Sequence, residues 1–132
     1  MRKTLTTSVV LDLLTFLPLP DDWLWTWTQR QKIQASDAQT DDSFGSSVAV
    51  DGDTLVVGAW IEDTVAASAG AAYIFTRSGT TWTQQSKIQA SDVEASDFFG
   101  YSVAISGDTV VVGANGEDTV ATGAGAAYIF TA

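Results

Sequence analysis

The chain has 132 residues, with no cysteine, no histidine, and 16 acidic against 6 basic residues for a net charge of −10. Those absences exclude disulfides, thiolate or imidazole metal ligands, thiol catalysis and a Ser-His-Asp arrangement. The acid excess would repel a phosphate backbone, and no Lys/Arg cluster follows Arg2 and Lys3, so nucleic acid is not an expected partner.

The first segment, residues 1–22, has a basic start and a mostly apolar run, the outline of a secretory signal peptide. Asp12 interrupts that run and no A-x-A-like cleavage site follows it, so an unstructured or non-native start is the competing reading. The run is too short and broken for a stable membrane span. Next comes "WLWTW", which sets Trp23, Trp25 and Trp27 on one face of an extended segment. It reads as an outer strand or, alternatively, as a carbohydrate-stacking platform.

From residue 23 to residue 132 the chain is expected to fold as two repeats at a spacing of about 55 residues, identical at about two-thirds of aligned positions. The core blades are expected at about residues 44–90 and 99–132. In chain order, "FGSSVAV" (44–50) alternates apolar and small residues, whereas "TLVVGA" (54–59) and "GAAYIFT" (70–76) are apolar on both faces and therefore interior. "WTQQSKIQA" (82–90) alternates with polar residues and reads as an outer edge. The second copy repeats the pattern. Four short strands per unit, with no helical period, predict an all-β fold of antiparallel four-stranded blades, as in a partial β-propeller.

The "DGD" of residues 51–53 separates two apolar strands, and Gly tolerates the positive φ of a hairpin turn. The second copy has Ser106 where the first has Asp51 but keeps Gly107, so the turn chemistry is retained and the carboxylate pair is not. Four residues cannot supply the six to eight oxygens calcium takes, which favours a turn over a metal loop. Meander connectivity instead gathers the acids at the other end of the sheets. That face collects Asp37, Asp41, Asp42, Glu62 and Asp63, then Asp92, Glu94, Asp97, Glu117 and Asp118. It could attract divalent cations, calcium among them, or a basic partner; the alternative is that these acids only solubilise and cap loops.

Phe44-Gly45 and Phe99-Gly100, then "VVGA" ending at Gly58-Ala59 and Gly113-Ala114, then "GAAYIF", resemble the FG-GAP repeat of integrin alpha subunits and bacterial surface and secreted proteins. The resemblance covers roughly residues 27–132. It implies blades of a seven-bladed propeller, extracellular or cell-surface location, and a role in adhesion or binding of a protein or glycan ligand. Trp60 and Asn115 stand where the motif's Pro would be, and the family's calcium loop is shortened here to "DGDT" and "SGDT". Calcium is therefore not carried over residue by residue from the family, though it stays possible at the acidic face; no other cofactor and no catalytic residue is expected.

Three functional readings follow: a non-catalytic extracellular module, a calcium-stabilised variant of it using the acidic face, and a glycan-acting enzyme using Glu62 or Glu117. The last is weakest, because both glutamates occupy one repeat position. Two blades that do not close expose apolar sheet faces, so the chain is expected to belong to a larger propeller or to self-assemble by blade or strand exchange.

Overall fold

The computed structural model of the protein describes residues 26–132. The signal-like segment, Trp23 and Trp25 lie outside the described residues. Two compact units divide the chain, Met1–Arg30 and Gln31–Ala132. Within the first, residues 26–30 carry no regular secondary structure and are exposed.

The second unit is all-β among the described residues, with β1 (Ser47–Asp51), β2 (Thr54–Ala59), β3 (Ala71–Ser78), β4 (Thr81–Ile88), β5 (Phe99–Ser106), β6 (Thr109–Ala114) and β7 (Ala126–Thr131). They form two antiparallel meanders, β1-β2-β3-β4 and β5-β6-β7. In the first sheet the apolar runs β2 and β3 sit centrally, with most of both faces covered, and the alternating polar run forms the outer strand β4; in the second sheet the apolar run β7 is an edge strand with alternate residues exposed. The β1–β2 turn is tight: Asp51 pairs with Thr54, and Gly52, with φ of 56°, is the residue whose backbone requires glycine.

One core lies between the sheets, joining Val56 and Ala72 of the first to Phe99, Val110, Val112 and Ala114 of the second. A second lies on the other face of the first sheet, where Val57, Ala59, Tyr73 and Phe75 meet Ala35, with Ile33 and Phe44 packed against them. Burying an aromatic side chain such as Tyr73 contributes about 2 kcal/mol relative to exposure, so these faces dominate the stability. Main-chain approach fixes how the sheets meet: the Ser47 hydroxyl donates to the Gly100 carbonyl at 2.8 Å, and a Cβ on Gly58 would collide with that carbonyl.

Two boundaries differ from expectation. Phe44 and Gly45 precede β1, whereas their equivalents Phe99 and Gly100 open β5, because Gly70 bridges to Phe99 and extends that strand. The segment 26–35, expected as an outer strand, carries no strand, since no sheet edge pairs with it among the described residues.

Candidate functional site

The two hairpin acids serve the fold. Asp51 Oδ2 accepts a hydrogen bond from the Gly107 N–H at 2.7 Å, tying the turns of the two sheets together. Asp53 accepts from Arg77 Nη2 at 2.7 Å and Nε at 3.0 Å, across the end of the first sheet.

At the opposite end, the loops close on buried carboxylates. Asp42 Oδ2 accepts the Gln39 N–H at 2.8 Å and Asp97 Oδ2 accepts the Glu94 N–H at 2.8 Å, the same bond in each copy. Glu62 Oε1 accepts the Thr64 N–H at 3.0 Å and also the Thr64 hydroxyl, and Glu117 Oε1 accepts the Thr119 N–H at 2.8 Å. Side chains that satisfy their own loop backbone in this way hold a turn without a ligand. All four are buried, while Asp41, Asp63, Glu94 and Asp118 are exposed.

The first copy adds a cation. Lys87, on β4, donates to Asp37 at 2.7 Å and to Glu62 at 3.0 Å, and its Nζ stands 5.7 Å from the Tyr73 ring centroid. The Tyr73 hydroxyl donates to Asp37 at 2.8 Å. Burial alone would raise Asp37, but the Lys87 and Tyr73 bonds outweigh it and hold the carboxyl below its ordinary value. Burial likewise opposes the charge on Lys87, and the bonds to Asp37 and Glu62 prevail and raise it. Burial, then the Asp37 bond and charge, push the Tyr73 hydroxyl far up.

In the second copy Tyr128 donates to Asp92 at 2.9 Å, matching Tyr73 and Asp37. Among the described residues no lysine or arginine reaches Asp92 or Glu117. Asp97 is raised, first by burial, against which the Glu94 N–H works, and then by the charges of Glu117, Asp118 and Asp92.

These acids do not fit a calcium ion. Among the described residues, no three of them converge as ligands, and calcium takes six to eight oxygens. Asp42 Oδ1 and Glu62 Oε2 are buried without a hydrogen-bond partner, a cost the fold carries. The motif residues Phe44, Gly45, Gly58, Ala59, Phe99, Gly100, Gly113 and Ala114 are structural: Phe44 stacks edge-on to Tyr73 at 5.4 Å, and Phe99 packs against Tyr128 at 5.5 Å. Sequence reasoning passed over Lys87 and Tyr73 as site residues. Their signal is the repeated "KIQASD" with a Tyr following in each copy.

The FG-GAP repeat profile matches residues 27–75 and again residues 82–130, most of the chain. The chain belongs to the FG-GAP repeat family. No curated protein matches it. Each FG-GAP repeat as matched begins in the segment that precedes its own first strand, so β4 opens the second repeat yet completes the sheet of the first. Repeat and blade are therefore out of phase by one strand, as in a β-propeller-type repeat module. Among the described residues, no helix is long and apolar enough to cross a membrane.

Proposed function

We propose that this FG-GAP chain is a non-catalytic extracellular module that scaffolds or binds a protein or glycan ligand through its loop face. The observation that supports it most is the duplication of the acids: Asp42 and Asp97, and Glu62 and Glu117, make the same backbone bonds in both copies. A catalytic carboxylate is set apart by its environment, whereas these acids repeat the same loop-capping backbone bonds, and the one partner that differs, Lys87 on Glu62, forms a buried ion pair. The exposed 60s and 110s loops, with Asp63 and Asp118 at their surfaces, remain for recognition. Export is consistent with the basic-then-apolar start and with the extracellular setting typical of FG-GAP repeats.

Two steps test this reading. The whole chain fused to a reporter active only outside the cytoplasm should give signal that disappears when residues 1–22 are removed. Exported protein should then bind members of a protein and glycan array without altering them. Absence of export, or turnover of a glycan abolished by Glu117→Gln, would sink it.

A further inference from the structure

Asn115 is the only asparagine in the chain, and Gly116 follows it. An asparagine before glycine is the pair most prone to close on itself, because no side chain on the second residue shields its main-chain nitrogen from the side-chain carbonyl. The pair forms a turn just past β6, where the chain leaves the second sheet, and Asn115 is exposed. That exposure belongs to the position. Trp60, its equivalent in the first copy, has Phe98 and Tyr101 of the other sheet stacked against it and is still part exposed.

The fold holds the nitrogen back. The Gly116 N–H donates to the Asp97 carbonyl at 3.0 Å, and the Glu117 N–H closes the turn on the Ala114 carbonyl at 3.2 Å. Gly116 is also pressed against the loop before β5: a Cβ there would collide with the Ser96 carbonyl and come 2.8 Å from Phe98 Cδ2. That loop is anchored in turn. Asp97 Oδ2 caps it at the Glu94 N–H, and the Ser96 and Phe98 N–H groups donate to the Ala67 and Ser68 carbonyls of the 60s loop at 2.8 Å and 3.1 Å. A nitrogen so confined reaches the Asn115 side chain only when the loops part.

We propose that Asn115 is a deamidation site latched by the Asp97 carbonyl, and that parting of the 90s loop from the 60s loop sets the pace of its conversion to aspartate and isoaspartate.

The chemistry needs only water and hydroxide. Once released, the Gly116 nitrogen gives its proton to hydroxide and bonds to Asn115 Cγ; the Cγ–Nδ2 bond breaks, and ammonia leaves with a proton from water. Water then opens the resulting succinimide at either carbonyl. One opening gives aspartate at position 115, and the other an isoaspartyl link that inserts the Cβ carbon into the main chain. Either product adds a negative charge to a turn that already holds Glu117 and Asp118. The inserted carbon displaces Gly116, for which the Ser96 carbonyl leaves no room, so the latch does not re-form. The first copy has Trp60 and Ile61 at these positions and no such reaction. One loop of the acid-bearing end thus carries a one-way change that its twin lacks.

The test follows conversion at Asn115 by peptide mapping and mass spectrometry of the full chain in mildly alkaline buffer, with Asn115→Gln as the unreactive baseline. Conversion should be about tenfold or more slower in the folded chain than in concentrated urea. Asp97→Ala, which removes the cap on the latching loop, should speed conversion in the folded state several-fold, whereas Asp42→Ala, which removes the same cap from the first copy, should not. A second reading needs no substitution. In urea below the unfolding transition, hydrogen exchange at the Gly116 amide and conversion of Asn115 should accelerate in proportion, since one opening exposes both. Equal rates in folded and unfolded chains, a folded Asp97→Ala chain that converts no faster than Asp42→Ala, or conversion that rises without Gly116 exchange would each overturn the proposal.

Discussion

Lys87 Nζ lies 3.0 Å from Oε1 of Glu62, a carboxylate with no solvent exposure whose second oxygen has no hydrogen-bond partner. That one contact separates a tolerable buried charge from a costly one, because a buried carboxylate without its cation retains the desolvation penalty and loses the compensation. Lys87→Met is therefore expected to destabilise the fold by about 3 kcal/mol, read as a lowered urea midpoint. A loss below a few tenths of a kcal/mol would mean that the Thr64 bonds alone satisfy Glu62.

Arg77 and Asp53 provide the contrast. Their side chains are 44% and 69% exposed, and solvent screens their 2.7 Å contact. Arg77→Ala should cost about 0.5 kcal/mol, with a similar small contribution lost from the Arg77–Trp82 stacking at 5.6 Å. The stability difference between the unmodified and Arg77→Ala chains should shrink as salt is raised, because salt screens this exposed pair.

Stability should respond to pH in opposite senses at two aspartates. Asp37 is held below its ordinary 3.8, so its contribution is present above that value and lost as pH falls through the lowered folded value. Asp97 is raised above 3.8, so its contribution is complete below 3.8 and lost as pH rises through the raised folded value. Asp97→Asn keeps an oxygen for the Glu94 N–H and should remove the second effect. Urea midpoints for both chains between pH 3 and pH 7 would show the difference narrowing towards low pH; parallel curves would contradict it.

Glycine at position 58 is set by the neighbouring main chain, not by its own φ. Gly58→Ala would drive a methyl group into the Gly100 carbonyl and should cost about 2 kcal/mol. At the equivalent Gly113 the nearest atom is the Ser102 hydroxyl, the end of a side chain that can rotate away, so Gly113→Ala should cost clearly less than Gly58→Ala. Equal destabilisation by the two substitutions would show that the Gly100 carbonyl does not distinguish the two positions.

Calcium should have no effect on this fold. With no three acids converging among the described residues, the melting temperature should be the same in chelator and in millimolar calcium. A rise that saturates with calcium concentration would reveal ligands outside these loops.

The strands were legible because β2 and β3 are apolar on both faces and β4 alternates, and those patterns depend on the segment itself. Strand limits were less so. Phe44-Gly45 and Phe99-Gly100 are the same dipeptide, yet only the second belongs to a strand, because it has a sheet beside it. The same dependence leaves residues 27–35 without the strand expected from their likeness to β4. The grouping of acids at one end followed from meander connectivity, but their work did not: whether Asp42 meets Gln39 or a cation is decided by reach across three residues of loop. The cation itself, Lys87, comes from the neighbouring repeat, beyond what any single unit displays.

The close approach of Ser47 and Gly58 to the Gly100 carbonyl also bears on how such a chain can diversify. Where two main chains touch, no side chain can be added without separating the sheets, and the copies retain the same Ser, Gly and Phe-Gly there. The differences between copies gather instead at positions such as Trp60 and Asn115, Ile61 and Gly116, and Ser68 and Gly123, where loops leave the sheets. A duplicated unit of this kind inherits its hinge unchanged and is free to drift at its tips, so new binding preferences can arise repeat by repeat without renegotiating the architecture.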